Sequence, residues 1–455
     1  MGKSAFKLSR YIVSSDRIVD AETGKLERAI FGTRKAIMVI ISEQLWQLLS
    51  NGQFEEIPSH VFDRLAQSEF LVPADENELT TISRTTALAI EKNSELYQVI
   101  QPSAFCQLNC DYCGQEHNQK ELTDINQNRL IERLHTKLTL GEFSRIRVCW
   151  FGGEPLAGIA VIRKLSPRLL QLAEEFNCTF SAVIVTNGLT LSAELAAELV
   201  NRHKVEQIEI TLDGTAEFHD KRRSTKSGSP TFNRILANLK AVAFRKDIDV
   251  NLRVRCNVDF RNVETVESLI DLLADQGLQE RISFYTAPVH SWGNEAHAMA
   301  LSPDDFGQYE VGWFARMALR NFEVQLLPGL RPIVCMALKP DAELVDAYGT
   351  LFNCTEVSYV PTYGNPNLYA IGSLRARANS VKNNRLNQFN EEVLQGKYQC
   401  SECSMLPVCG GGCPKQWQEG HLPCPSAKFN MRERLALAYA LDRINSLKTS
   451  FERVH

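Results

Sequence analysis

Six short apolar runs recur through the middle of the chain, at residues 97–100, 146–151, 182–185, 208–212, 252–256 and 282–285. Between them lie longer stretches whose apolar positions return every three or four residues. This alternation predicts parallel strands joined by crossover helices, an α/β domain over residues 93–300. Six strands are too few for a closed eight-stranded barrel.

Ahead of that segment, residues 1–92 carry apolar stretches at 11–13 and 36–41. Ser42 is placed to cap a helix bearing Leu45, Leu48 and Leu49. Pro58 fits the first turn of a second helix with Val61, Phe62 and Leu65 on one face, and 70–72 reads as a returning strand. The expectation is a small strand and two-helix unit. Near the other end, Leu435, Ala436, Tyr439 and Ala440 recur at helical spacing and predict a packing helix from 431 to about 446.

At 455 residues, the chain is long enough for roughly three domains at ~150 residues each. A formal charge of −4 leaves no electrostatic footprint for nucleic acid, and no apolar run approaches the ~20 residues that span a bilayer. The opening residues lack the apolar core of a secretory signal, and Phe6 stands where a myristoylation signal needs Ser or Thr. Thirteen cysteines in such a chain read as metal ligands rather than disulfides, in a cytoplasmic, oxygen-sensitive protein.

Three of those cysteines, Cys106, Cys110 and Cys113, form a Cx3CxxC triad just after the first apolar run. Three thiolates leave one iron of a four-iron cluster open. With Tyr112 inside the last CxxC, the triad resembles the radical S-adenosylmethionine (radical SAM) superfamily. That resemblance implies an open (β/α)6 partial barrel, with the unique iron chelated by the amine and carboxylate of S-adenosylmethionine (SAM). Reductive cleavage of SAM then gives a 5'-deoxyadenosyl radical. Gly152, Gly153, Glu154 and Pro155, after the second run, resemble the family's motif for the SAM amino group, with the glycines allowing close approach and Glu154 accepting from the ammonium. Asn187 and Asp213, ending the third and fourth runs, match loops that border the nucleoside in relatives, and also match common strand-to-helix turns. Arg255 shares a strand face with Asn257; the resemblance makes it a partner for the SAM carboxylate, a surface salt bridge being the alternative. Tyr285 and His290 are polar groups near the end of the sixth run, with either a structural or a substrate-facing role.

The remaining third carries Cys335, thirteen residues, Gly349, four residues and Cys354, then Cys400, Cys403, Cys409, Cys413 and Cys424. The pattern Cx13Gx4C, gap, CxxCx5CxxxC, gap, C resembles the SPASM extension, which binds two auxiliary four-iron clusters. By that resemblance Cys400, Cys403, Cys409 and Cys424 hold the distal cluster, and Cys413 joins Cys335 and Cys354 on the proximal one. Residues 336–348 supply no fourth cysteine, so that site is open, filled by another ligand, or used for substrate. A zinc ribbon explains the CxxCx5CxxxC block alone and leaves the other cysteines unaccounted for. Cys149, Cys178 and Cys256 lie in or beside apolar runs and read as core residues.

Three domains are thus expected: 1–92, resembling a winged-helix precursor-recognition unit; 93–300, the partial barrel; and 301–455, the auxiliary-cluster domain with its closing helix. A packing cap is the alternative for the first. The resemblance implies three [4Fe-4S] clusters and an electron donor such as flavodoxin or ferredoxin. It also implies hydrogen-atom abstraction from a ribosomally made precursor peptide bound through a leader, forging an intramolecular carbon–carbon or thioether crosslink. The alternatives are sulfatase-maturase-like oxidation of a Ser or Cys side chain, a non-catalytic iron-sulfur electron carrier, and a small-molecule substrate.

Overall fold

The structure, a computed structural model, describes residues 2–375 and 384–452. The chain opens with short antiparallel strands: β1 (Phe6–Leu8), β2 (Ile12–Ser14), β3 (Ile18–Val19), β4 (Leu26–Gly32) and β5 (Ile37–Ser42). β2, β3 and β5 all pair with β4, and β5 pairs with no other strand among the described residues. Helix α1 (Glu43–Ser50) begins where Ser42 Oγ accepts the Leu45 N–H at 3.2 Å, as the sequence predicts. Pro58 caps α2 (Ser59–Gln67) from one position outside it, and β6 (Leu71–Pro73) returns to pair with β1. Ile30, Ile41, Leu49, Phe62, Leu65 and Phe70 form a core of their own here.

Two elements exceed the expected strand and two-helix unit. β4 was hidden because Glu27 and Arg28 interrupt its apolar run at the exposed end. α3 (Glu78–Glu91) is a mostly exposed, threonine-rich helix, and only its first turns pack, through Leu79 and Ile82, on the last third of the chain. The second face of the front sheet is also covered. Val13, Ala29, Phe31 and Met38 meet Met405, Val408, Met431 and Leu435 in one apolar cluster.

The middle of the chain forms the six expected strands, β7 (Glu95–Ile100), β8 (Arg145–Trp150), β9 (Thr179–Thr186), β10 (Val205–Thr211), β11 (Asn251–Val258) and β12 (Ile282–Pro288). They lie side by side in chain order, every pair parallel. Helices α4 (Asp124–Leu140), α5 (Ile159–Glu175), α6 (Ala193–His203), α7 (Ala216–Arg222), α8 (Phe232–Ala243) and α9 (Val266–Asp275) fill the crossovers. Val148 and Trp150 on β8 and Ile184 on β9 are fully buried against Leu165 and Leu169 of α5. Coverage of the sheet by helices is what makes such strands read as continuous apolar runs. Truncating one of these leucines to alanine costs about 2–5 kcal/mol.

The barrel does not end at residue 300. Helix α10 (Pro303–Leu319), begun by the Ser302 cap, packs on α9 and β12 and adds Phe306, Trp313 and Met317 to the barrel core. It is the helix that follows the sixth strand, and falls in the segment assigned by sequence to the next domain. The sheet also continues past its first strand. β13 (Glu343–Val345) pairs parallel with β7, then antiparallel with β14 (Thr350–Phe352), which pairs with β15 (Gly372–Ser373), giving nine strands. Buried Glu343 accepts from Arg133 Nε at 2.7 Å, fastening β13 to α4.

Three short helices, α11 (Phe389–Leu394), α12 (Leu406–Cys409) and α13 (Pro414–Gln418), precede α14 (Ala427–Glu452). Asn430 breaks helical geometry at φ −117°, so the long helix proper starts where the sequence places it. Among the described residues no helix is long and apolar enough to cross a membrane.

Candidate functional site

The carboxyl ends of the barrel strands surround one cavity of about 990 Å³. Cys106, Cys110 and Cys113 line it from the loop after β7, and Gly152 and Gly153 from the turn after β8. Thr186 and Asn187 line it from β9, Thr211 from β10, Arg255 and Asn257 from β11, and His290 from beyond β12. Of the strand-end positions singled out by sequence, Glu154, Pro155, Asp213 and Tyr285 are not among the residues that line this space.

The triad's sulfurs sit as acceptors: the Leu108 N–H points at Cys106 and the Gln115 N–H at Cys113. Burial pushes the Cys106 thiol up to about 12 and Cys110 up to about 11. Such a site disfavours bare thiolates and favours thiolates bound to cationic iron. Among the described residues no three of His, Cys, Asp and Glu converge as ligands of a single ion. Ligands of a cluster bind separate iron atoms and need no such convergence.

Gly152 and Gly153 have φ of +77° and +48°. A Cβ on Gly152 would stand 2.1 Å from Gln101 Nε2, and one on Gly153 2.6 Å from the Phe105 carbonyl oxygen. Only glycine allows this turn to lie against the triad loop. Glu154 departs from expectation, because its carboxylate lies beneath the cavity wall rather than in the cavity. It is fully buried and accepts from Thr186 Oγ1 at 2.6 Å, Leu156 N at 2.9 Å and Asn187 N at 2.7 Å. Burial raises its pKa, and these three donors oppose the rise.

Asp213 is likewise not among the residues that line the cavity. It has no exposed surface: Oδ2 accepts the Tyr112 hydroxyl at 2.6 Å and Oδ1 the Asn257 N–H at 2.8 Å. Tyr112 also accepts from Asn257 Nδ2 at 3.0 Å and from Arg223 Nη1. Asp213 thus ties the triad loop to β11. Asn187 does line the cavity, with Nδ2 3.8 Å from Cys106 Sγ. Among the described residues Arg255 makes no ion pair, with Glu209 and Glu356 within electrostatic reach; its Nε donates to Asn257 Oδ1 at 2.7 Å, and it lines the cavity. Tyr285 is structural, beneath the Arg253 guanidinium at 4.7 Å and outside the cavity lining.

Sequence reading missed Arg223, Glu209, His117 and the His290–Glu356 pair. Arg223 ends the charged stretch His219-Asp-Lys-Arg-Arg223, which reads as a solvated helix end yet is buried against Cys110 and Tyr112. His290 Nε2 lies 3.1 Å from a Glu356 carboxylate oxygen, a contact across 66 residues that nothing local announces.

The seven other predicted ligands gather as two sets. Cys335 and Cys413 lie within electrostatic reach of Cys354. Cys400, Cys403, Cys409 and Cys424 line a second, apolar cavity of about 300 Å³, where the Gly411 N–H donates to Cys409 Sγ at 3.2 Å. Cys149 and Cys256 are buried in the core, while Cys178 is half-buried and donates to the Phe143 carbonyl.

The family profile of the radical SAM superfamily matches residues 100–273, the span that holds the triad and the four strands β8 to β11. An uncharacterized protein of Synechocystis sp. is 31% identical over 377 residues, covering 76% of this chain and 89% of that one. The serine-type anaerobic sulfatase-maturating enzyme of Bacteroides thetaiotaomicron is 24% identical over 364 residues, covering 70% and 83%. Among solved structures, anSMEcpe with bound AdoMet and Cp18Cys peptide superposes with a TM-score of 0.57 at 17% identity, covering 78% of this chain and 99% of that one. That likeness is one of fold; by the profile match and the Synechocystis relative, this chain belongs to the radical SAM superfamily.

Proposed function

We propose that this chain is a peptide maturase that takes up a ribosomally made precursor through a leader and crosslinks it internally. The triad would hold the SAM-binding cluster, and the two further cysteine sets would hold a proximal and a distal auxiliary cluster. When bound, these groups supply reductive SAM cleavage, hydrogen-atom abstraction and an outlet for the substrate's second electron, with flavodoxin or ferredoxin as donor. The chain's own residues position the reactants. The Gly152–Gly153 turn brings backbone to the cofactor's amino acid end, with buried Glu154 the anion beneath it. Arg255, its Nε on Asn257 and with Glu209 and Glu356 only within electrostatic reach, would meet the SAM carboxylate. Asn187 borders the Cys106 sulfur, and Tyr112, through Asp213 and Arg223, holds the triad loop still.

The observation that carries the peptide reading is the outer edge of β5, which among the described residues pairs with β4 alone. An extended leader adds to such an edge, main-chain bonds giving affinity and side-chain pockets giving register. Removing residues 1–92 is a poor test, since Phe31 and Ala29 are packed against Met431 and Leu435. Hydrogen exchange of the intact chain is cleaner. Short peptides encoded beside this chain's reading frame are expected to protect amides 37–42 and, with SAM and dithionite, to lose hydrogen. Protection elsewhere, or none at saturating peptide, sinks the leader reading.

A second reading, oxidation of a Ser or Cys side chain in a sulfatase, is favoured by the relatives themselves, serine-type and cysteine-type sulfatase-maturating enzymes. It predicts turnover of a sulfatase-derived peptide with no protection at residues 37–42.

A further inference from the structure

The proximal cysteine set is one ligand short: Cys335, Cys354 and Cys413 face one another, and residues 336–348 contain no cysteine. Cys149 packs in the same apolar cluster, but its sulfur is hydrogen-bonded to Tyr97. The sulfurs of the three are arranged as acceptors. The Ala337 and Leu338 N–H groups lie near the Cys335 sulfur, that of Glu356 near Cys354, and those of Gln416 and Lys415 near Cys413, each lowering the thiol's pKa against its burial. Backbone donors aimed at sulfur suit thiolates bound to iron, whose charge they help to stabilise.

The Glu356 carboxylate stands among these same three sulfurs, within electrostatic reach of Cys335, Cys354 and Cys413 alike. Its backbone N–H is the one bonded to Cys354, so the turn that delivers that sulfur also delivers the carboxylate. From the barrel side His290 Nε2 approaches it at 3.1 and 3.2 Å, and Lys415, two residues after Cys413, lies on the other flank. Met336, Ala337, Val357, Tyr363 and Tyr369 surround the thiols with apolar surface. An anion in such a place needs cationic partners.

We propose that Glu356 is the fourth ligand of the proximal auxiliary cluster, one carboxylate oxygen on iron and the other held by His290. This rests on the reading that the three thiols hold a cluster at all. One iron of that cluster then has an oxygen ligand, a harder donor than thiolate. His290, which lines the SAM cavity, connects it to the reacting space.

The test uses the full chain with Cys106, Cys110 and Cys113 replaced by alanine, so that only auxiliary iron remains. After anaerobic reconstitution with iron-57 and sulfide, about eight iron atoms per chain are expected from two four-iron clusters. Mössbauer spectra should show about one of those eight with the raised isomer shift of an oxygen-ligated site. Glu356→Cys should abolish that signal while keeping the iron. Glu356→Ala should leave a cluster whose electron paramagnetic resonance signal shifts on adding cyanide, as that of the unsubstituted Glu356 protein does not. Identical spectra for Glu356 and Glu356→Cys overturn the ligand assignment, as does a cyanide shift with Glu356 in place or loss of the distinct site in Cys149→Ala. Far fewer than eight iron atoms would instead remove the auxiliary-cluster reading, and the ligand assignment with it.

Discussion

Glu154 Oε2 accepts the Asn187 N–H at 2.7 Å, so one buried carboxylate bonds the turn after β8 to the turn after β9. Both turns line the cavity, and their spacing is set from beneath by a side chain that does not itself line it. Glu154→Ala leaves the Asn187 and Leu156 N–H groups and the Thr186 hydroxyl without their acceptor, at about 1–3 kcal/mol for each buried group. SAM affinity is expected to fall at least about tenfold, as 1.4 kcal/mol of lost binding would produce. Equilibrium SAM binding with the first cluster intact measures it; unchanged affinity contradicts the role given to Glu154.

Arg223 brings a buried positive charge to Cys110 and to the Tyr112 hydroxyl. A cation beside a cluster stabilises its more negative, reduced state. Arg223→Met is therefore expected to lower the potential of the SAM-binding cluster and slow SAM cleavage by dithionite, while iron content holds. An electron paramagnetic resonance redox titration reads the shift, and a rise in potential would contradict it.

What the sequence discloses and what it hides divide along physical lines. Strands covered on both faces must be continuously apolar, so all six barrel strands were legible, whereas β4, with two charges at its exposed end, was not. Cysteine spacing survives folding as a pattern: the triad lines one cavity, Cys400, Cys403, Cys409 and Cys424 line another, and Cys335 and Cys413 lie within electrostatic reach of Cys354. Burial leaves no such mark. Glu154 is singled out by its motif and Asp213 by its place at a strand end, and only tertiary packing shows that both are fully buried and do not line the cavity. Arg223, Glu356 and His290 acquire meaning from partners 66 or more residues distant.

Asp346, in the turn joining β13 to β14, accepts the Tyr348 and Thr350 N–H groups at 2.9 and 2.8 Å. Burial nevertheless raises its pKa from 3.8 to about 6. A carboxyl that holds its proton more tightly when folded stabilises the fold fully below its unfolded pKa. That contribution is lost as pH rises towards about 6. Asp346→Asn keeps the acceptor oxygen without the charge, so it should stabilise the chain by about 1–3 kcal/mol near pH 8. The gain should shrink towards about pH 5. Anaerobic denaturant titrations at both ends of that range decide it, and a gain that grows on acidification would refute the assignment.

The account stands most directly on Cys106, Cys110 and Cys113 as the ligands of the cluster that cleaves SAM. The decisive measurement is 5'-deoxyadenosine formation, with iron counted in the same samples, by the reconstituted native chain and by the triple alanine variant. The native chain is expected to hold about twelve iron atoms and to form 5'-deoxyadenosine with dithionite; the variant is expected to lose about four and form none above background. A folded triple variant that still cleaves SAM would contradict the account.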